Sequence, residues 1–279
     1  MTHLLVGLDE SPWSAAAQAT AIAVAAKAPE RVRLTGVHVV SVRHPTGDVI
    51  ADLAGLLGFE PVMVPEKVEA VYQARGQRFV EAFQAHAKEA SIQAGGILDQ
   101  GAQLDRLAHH AASVDLVVLG ARGETELAWR GQGGGKVEKL IRSAPADVMV
   151  VPRKPPSLET IMVGFDGTEG ARRALRSARK LARILGAHLH LCYVEDGRRA
   201  EDFDPIPQAL AELHADKVEA TGERIPGEPH ETLVARCIER GDGLLAVGRR
   251  GRSWFTDLIL GRVTERILGK AELALLVAR

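Results

Sequence analysis

Short apolar runs alternate with longer stretches of helical spacing along the chain, and this alternation predicts strands and helices in turn. The runs HLLVG (3–7) and TIMVG (160–164) are each followed by a carboxylate, a helix start and an alanine-rich helix. Strands that alternate with helices imply right-handed crossovers and a parallel sheet covered on both faces. The pattern therefore predicts an α/β fold of the doubly wound, Rossmann-like type.

The pattern occurs twice. The segment VDLVVLGARG (114–123) corresponds to GLLAVGRRG (243–251), and KVEKLIRSAPADVMVVP (136–152) corresponds to VTERILGKAELALLVA (263–278). Val39 and Val194, at the ends of the second strands, are 155 residues apart, whereas Gly101 and Gly227 are only 126 apart. The second copy is therefore shorter by about 29 residues, which are missing between its second strand and its Gly227 turn.

These offsets predict two tandem domains, each with a five-stranded parallel sheet. The first spans residues 1–152 and the second spans residues 161–279, with a proline-rich linker at 153–160. The extra segment of the first copy holds an apolar stretch at 48–64 and a long helix predicted from Glu66 to Ala94.

The helix after the first strand of each copy has recognisable end signals. Ser11 is expected to cap the first of these helices, with Pro12 at its first position. Thr168 is expected to cap the second, and Gly186 to end it in a left-handed conformation.

Composition narrows the class of protein. The 279 residues suffice for two domains, and 35 Lys and Arg against 36 Asp and Glu give a formal charge of -1. We therefore expect neither a nucleic-acid nor a membrane partner. Two cysteines, Cys192 and Cys237, and the lack of an apolar run near 18 residues predict a soluble cytoplasmic protein. An aromatic share of 4% predicts a core of Ala, Val, Leu and Ile.

Candidate chemistry falls where strands end, because ligands of open parallel sheets bind outside the carboxyl ends of the strands. Asp9 and Asp166 follow the first strand of each copy, and a glycine-spaced loop with Gly248, Gly251 and Gly261 follows the fourth strand of the second copy. Such a loop can turn successive N–H groups toward an anion, and the helix after it adds its positive end.

Local charge favours the second copy as a phosphate site. Arg249, Arg250, Arg252 and Arg262 outweigh two carboxylates between residues 248 and 265, which leaves a local charge of +2. The matching stretch of the first copy, residues 120–138, sums to zero. The arginines can also form an ordinary solvated face, and the two aspartates can also act only as helix caps.

The aspartate after strand one, the Gly-x2-Gly-x9-Gly loop after strand four, and the closing helix and apolar strand resemble the universal stress protein family, here as a tandem pair. The resemblance implies that ATP, ADP or AMP is bound, with Mg²⁺ when the ligand is ATP. It places the nucleotide in the second copy at Asp166, Val194, Gly248, Arg249, Gly251, Gly261, Arg262, Val263 and Thr264. A less typical site in the first copy comprises Asp9, Val39, Gly120, Gly123, Gly133, Gly134 and Gly135.

Both copies depart from the family pattern. Arg262 stands where the family has Ser or Thr after the third glycine, and this arginine can either pair with a phosphate or fill the site. In the first copy the third glycine, Gly134, comes one residue late and Gly135 replaces the hydroxyl residue. The resemblance also implies that the fifth strands pair across domains or subunits, and that the protein forms a homodimer.

Two functions remain open at this stage. The first is a stress-response regulatory protein that binds a nucleotide, mainly in the second domain, and hydrolyses ATP slowly at most. The sequence contains no Walker motif, no G-x-G-x-x-G after the first strand and no H-x-G-H. It also contains no recognisable group that would activate a nucleophile. The alternative is a dimerising adaptor whose nucleotide sites have decayed and which holds a protein or an apolar ligand, with residues 48–64 as a lid or contact.

His188 and His190 point the same way from one predicted strand, but no third metal ligand is near them in the sequence. We therefore expect no metal site. Cys192 and Cys237 are interpreted as small buried hydrophobic residues.

Overall fold

The architecture comes from a computed structural model, which describes residues 1–41, 65–123, 136–197, 202–249 and 273–279. In the second of these ranges the side chains are described from residue 69 onward, and in the third from residue 137 onward. Ten strands form one sheet in the order β3-β2-β1-β4-β5-β10-β9-β6-β7-β8. Every neighbouring pair is parallel except β5 and β10, which are antiparallel. The predicted α/β fold, with two Rossmann-like halves joined through their fifth strands, is confirmed.

The two halves repeat the same order of elements up to their fourth strands. The first half contains β1 (Thr2–Gly7), α1 (Pro12–Lys27), β2 (Val32–Val40), α2 (Pro65–Glu89), β3 (Ala94–Gln100), α3 (Gln103–Ala111), β4 (Leu116–Gly120), α4 (Lys136–Ser143) and β5 (Asp147–Val151). The second half contains β6 (Thr160–Gly164), α5 (Glu169–Leu185), β7 (His188–Glu195), α6 (Ile206–Ala215), β8 (Ala220–Pro226), α7 (Pro229–Arg240), β9 (Leu244–Gly248) and β10 (Ala274–Ala278).

Local sequence signals set the ends of the first helix in each half. The Ser11 hydroxyl accepts a hydrogen bond from Ser14 N–H at 3.1 Å, and the Thr168 hydroxyl accepts one from Ala171 N–H at 3.3 Å. Gly186 ends α5 with φ 68°, a conformation that glycine adopts without a steric penalty. The predicted caps and the predicted left-handed glycine are confirmed.

The long helix of the first half is shorter than predicted. α2 ends at Glu89, and Ala94 already opens β3, so the predicted extension to Ala94 was wrong. Ser91 adopts a left-handed φ of 61°, and Ile92 N–H donates back to Ala87 O at 2.8 Å. This turn buries Ile92 in the core and starts β3, which helical spacing alone does not reveal.

The antiparallel pairing of β5 and β10 makes the core continuous across the two halves. Leu275, Leu276 and Val277 align with Val150, Met149 and Val148. Alanines of α1 and α5 share one core cluster with Met149 of β5 and Leu276 of β10. These alanines include Ala17, Ala21, Ala174 and Ala178. Small residues let helices approach the sheet closely, which agrees with the low aromatic content.

Charged and polar contacts fasten the two halves outside the core. Ser177 on α5 donates to Asp147 Oδ2 at 2.6 Å, and Lys180 pairs with Asp115 at 2.6 Å.

Across the part of the chain that the structure describes, no helix combines the length and apolar character needed to cross a membrane. The domain boundaries at 152 and 161 stay predictions, because one sheet runs through both halves.

Candidate nucleotide site

The sheet has a switch point in each half. β1 lies between β2 and β4, and β6 lies between β7 and β9, so in each half the chain leaves the first strand in one direction and returns on its other side. A crevice forms outside the carboxyl end of a strand at such a point, because the connections on either side run over opposite faces of the sheet. Asp9 and Asp166 follow β1 and β6 directly at these positions.

Both aspartates organise the start of the next helix. Asp9 Oδ1 accepts a hydrogen bond from Ser11 N–H at 2.8 Å. Asp166 Oδ1 accepts one from Thr168 N–H at 3.0 Å and one from the Thr168 hydroxyl at 2.6 Å. The helix-capping interpretation therefore applies to both residues. Among the described residues the bonds of Asp166 use Oδ1, and the carboxylate is only partly buried, so this role is compatible with a second one toward a ligand.

The backbone at the end of the second strand of the second half points into the crevice. Cys192 O accepts from Phe165 N–H on the β6 side, and Glu195 O accepts from Gly227 N–H on the β8 side. Because successive residues of a strand direct their backbone groups to opposite neighbours, those of Val194 point to the β6 side. The register with β6 ends at Cys192, so Val194 N–H and C=O face the space that β6 leaves open.

The first half repeats this arrangement. Val37 O accepts from Leu8 N–H at 2.9 Å, and Val40 O accepts from Gly101 N–H at 3.0 Å on the other side. Val39 therefore directs its backbone groups past the end of β1, as Val194 does past β6. One donor and one acceptor held at fixed spacing suit the edge of a planar heterocycle.

Gly120 and Gly248 serve close packing. A Cβ on Gly120 would lie 2.6 Å from the Trp13 carbonyl carbon, and a Cβ on Gly248 would lie 2.2 Å from Gly170 O. Both glycines end the fourth strand of their half and lie directly against the first turn of the first helix. Their missing side chains bring the strand end and the helix start together at the switch point, beside Asp9 and Asp166.

The loop after β4 reaches the aspartate of the first half. A Cβ on Gly123 would lie 3.2 Å from Asp9 Oδ2, and the Ser11 hydroxyl donates to Arg122 O at 3.2 Å. Two groups that the sequence predicts to share a site, Asp9 and the second glycine of the loop, are thus neighbours.

Arg249 has a structural contact that the sequence did not predict. Its guanidinium donates to Ile141 O at 3.2 Å and to Ala144 O at 2.5 Å, and these carbonyls belong to the end of α4 in the other half. A cation at a helix C-terminus satisfies carbonyls that lack partners and interacts favourably with the helix dipole. The Arg249 side chain therefore connects the two halves by hydrogen bonds. The sequence had suggested instead that this side chain lies near a phosphate.

The rest of the predicted glycine loops lies outside the described residues. These residues are Gly133, Gly134 and Gly135 in the first half, and Gly251, Gly261, Arg262, Val263 and Thr264 in the second.

An ion pair borders the crevice of the second half. Arg224 on β8 donates to both oxygens of Glu195, at 3.0 and 2.6 Å, and this hydrogen bonding lowers the pKa of the carboxyl. Glu195 directly follows Val194, so Arg224 neutralises a carboxylate one residue along the chain from the backbone groups that face the crevice. The sequence analysis did not consider this pair. The parallel register of β7 and β8, which aligns Tyr193 with Arg224, would have revealed it.

The histidines of β7 belong to a hydrogen-bonded network. His188 Nε2 and His190 Nδ1 lie 2.8 and 2.9 Å from the Thr221 hydroxyl, and His190 Nε2 lies 2.8 Å from Glu223 Oε1. Arg236 on α7 donates to both oxygens of Glu223 at 2.8 Å. The guanidinium, together with His190, lowers the pKa of Glu223 to about 2. Within the described ranges, no three His, Cys, Asp or Glu side chains are grouped closely enough to hold a metal.

Both cysteines are buried. Burial raises the pKa of the Cys192 thiol to about 12 and raises that of Cys237 above its ordinary value. Cys237 donates to Asp242 O at 3.3 Å. Both side chains therefore behave as small core residues, and neither is a thiolate at neutral pH.

Comparison with known proteins gives the family. The universal stress protein family model matches residues 1–152 and again residues 157–279. The chain is 26% identical to universal stress protein Rv2005c of Mycobacterium tuberculosis over 299 residues, which cover 99% of this chain and 96% of that protein. It is 29% identical to universal stress protein Slr1230 of Synechocystis over 186 residues, 64% of this chain and 63% of that protein.

Solved structures agree with the fold. A universal stress protein from Archaeoglobus fulgidus superposes with a TM-score of 0.69 at 15% identity, covering 99% of this chain and 96% of that one. Two matches of the family model, which together cover nearly the whole chain, show that this protein belongs to the universal stress protein family, in its tandem two-domain form.

Proposed function

We propose that this protein is a regulatory universal stress protein that binds an adenine nucleotide, ATP, ADP or AMP, at the carboxyl edge of its second half. The observation that carries the proposal is the position of Val194, whose backbone donor and acceptor face the space beyond β6, next to Asp166. This pair suits the base, and Asp166 Oδ2 suits a ribose hydroxyl.

The phosphate end of the site is proposed for the glycine loop. Gly251, Gly261, Arg262, Val263 and Thr264 continue the chain from Gly248, which the structure places against the first turn of α5. A phosphate there would meet backbone N–H groups and the local positive charge of the loop. Since Arg249 is engaged at α4, Arg262 is the arginine that we propose for phosphate contact, and Mg²⁺ would accompany ATP.

The binding is proposed to be non-catalytic, with slow hydrolysis at most. Efficient hydrolysis needs a group that activates the attacking water or a nucleophile. The two thiols are protonated at neutral pH, and the carboxylates of Glu195 and Glu223 are held in ion pairs with arginines. The nucleotide would then act by favouring one conformation or one partner of the protein, to which it binds more tightly than to the alternatives.

The test is calorimetric titration with ATP of the wild-type protein and of the variants Gly251→Val and Asp166→Ala. We expect each variant to weaken binding at least tenfold, because valine blocks the close backbone approach and alanine removes the carboxylate. Asp9→Ala is the matched control, since it removes the equivalent carboxylate and helix cap from the first half. ATP affinity that survives both second-half changes would overturn the assigned site.

A further inference from the structure

His230, in the first turn of α7, has a buried imidazole ring. The residue is 7% exposed, and neither Nδ1 nor Nε2 has a partner among the residues that the structure describes. Glu231 Oε1 lies 3.9 Å from Nε2, beyond hydrogen-bond distance. Leaving a buried polar group unsatisfied costs about 1–3 kcal/mol, so such a group in a native protein needs an explanation.

The position of His230 in α7 brings it toward the carboxyl edge of the sheet. Leu233 and Val234, three and four residues further along, share its helix face and pack in the core with Val194. A Cβ on Gly164, the last residue of β6, would lie 2.8 Å from Leu233 Cδ1. α7 runs antiparallel to the strands because it follows the carboxyl end of β8. His230, one turn before Leu233, is therefore displaced from Gly164 toward the carboxyl edge, where Asp166 and Val194 face the crevice.

The first half shows that the fold does not need an imidazole at this position. Gly101 and Gly227 are equivalent turn residues, with φ of 142° and 146°, and counting from them makes Leu104 the equivalent of His230. Leu104 is partly buried and packs against the core of its own half. An apolar side chain thus fills the position where the glycine loop departs from the family pattern, and a polar one fills it where the loop follows the pattern more closely.

We propose that His230 hydrogen-bonds the edge of the purine base of the bound nucleotide and so contributes to base selection in the second half. The inference rests on the proposed function. A neutral imidazole carries one donor and one acceptor, as does the backbone of Val194. Adenine presents an amino donor beside ring-nitrogen acceptors, so it matches both pairs. The ligand then supplies the partner that His230 lacks, and Leu104 leaves the first half without this contact.

The test compares the wild-type protein with His230→Leu, which installs the side chain that the first half uses. Affinities for ATP, inosine triphosphate and inorganic triphosphate are measured by calorimetry. We expect H230L to weaken ATP binding at least tenfold, to reduce the preference for ATP over inosine triphosphate, and to leave the affinity for triphosphate unchanged. His86→Leu, a change of an exposed histidine on α2, is the matched control.

Other outcomes decide against the inference. An ATP affinity and a base preference unchanged in H230L would overturn it while leaving the proposed function intact. Equal losses for ATP and triphosphate would make His230 a phosphate ligand or a structural residue, and would also overturn it. A wild-type protein that binds no nucleotide would overturn the proposed function and this inference together.

Two further measurements keep the inference falsifiable if H230L is poorly folded. His230→Gln retains a donor and an acceptor and is expected to preserve the preference for ATP over inosine triphosphate. In the wild-type protein, the ¹⁵N signals of the His230 ring are expected to shift when ATP is added. Ring signals that stay unchanged at saturating ATP would contradict a direct contact.

Discussion

At the scale of single residues, the polar groups of the second half differ sharply in how they are satisfied. Glu223 is held by two hydrogen bonds from Arg236 and lies against His190, whereas His230, in the same helix as Arg236, has no hydrogen-bond partner among the described residues. The first arrangement stabilises the packing of α7 on β8. The second leaves the buried ring nitrogens of His230 unsatisfied by the described residues, which is why we connect it with ligand binding.

The Glu223 pair predicts a defined pH dependence. Its pKa is lowered from 4.5 to about 2 in the folded protein, so the stabilisation is complete above pH 4.5 and is lost as the pH falls toward 2. We expect Glu223→Gln to reduce the free energy of unfolding at pH 7 by about 1–2 kcal/mol, allowing for solvent screening, and to flatten its decline below pH 4.5.

Urea unfolding at pH 7 and pH 3 measures this effect. Glu239→Gln is the matched control, because Glu239 contacts the same Arg236 but its side chain is 71% exposed. Its exposed pair should contribute little. An E223Q variant that loses as much stability as the wild-type protein between pH 7 and pH 3 would contradict the assignment.

At the scale of elements, strand ends and helix starts meet through glycine. Gly248 lies so close to Gly170 O that Gly248→Ala should force β9 and α5 apart and lower the free energy of unfolding by about 1–3 kcal/mol. Gly186→Ala is the matched control: nothing lies within 4 Å of its Cβ position, so only the left-handed backbone penalty, about 1 kcal/mol, applies. The midpoint of chemical unfolding measures both. Equal losses would show that the contact at Gly248 is not tight.

The sequence predicts these elements well where local chemistry decides. Apolar runs placed the strands, and Ser11, Thr168 and Gly186 marked helix ends through interactions within a few residues. Helical spacing failed at Ala94, because the end of α2 depends on the burial of Ile92 by tertiary packing.

The candidate site was less predictable. The position of Asp166 follows from the alternation of strands and helices, and Val194 follows from the resemblance to the family. The cap that Arg249 provides for α4, however, requires the two halves to be joined. The burial of His230 is equally a property of the packed helix, since its sequence context reads only as a helix start.

At the scale of the whole molecule, the second copy completes the sheet of the first. β5 and β10 pair at the centre, and Arg249 and Arg279 reach carbonyls at the end of α4 and in the turn before β5. The glycine loop after β9 follows Arg249 directly in the chain, so a conformational change in this loop would begin beside a contact between the halves. Nucleotide binding in the second half could act on the first through this joint, which is a route for the proposed regulation.

The predicted homodimer concerns contacts between two copies of the chain, as distinct from the contact between the two halves of one chain. Residues 48–64, which the sequence suggested as a lid or a subunit contact, lie outside the described residues. The exposed Val71 and Tyr72 on α2 belong to the same half. Assembly of the protein with a second copy stays a prediction.

The most direct test of the central claim is native mass spectrometry of the protein purified without added nucleotide, followed by denaturation and identification of the released small molecules. We predict that ATP, ADP or AMP is released at up to one molecule per chain, and that the amount falls sharply in H230L and Asp166→Ala but not in Asp9→Ala. A wild-type protein that carries no nucleotide and takes up none from millimolar ATP would contradict the account.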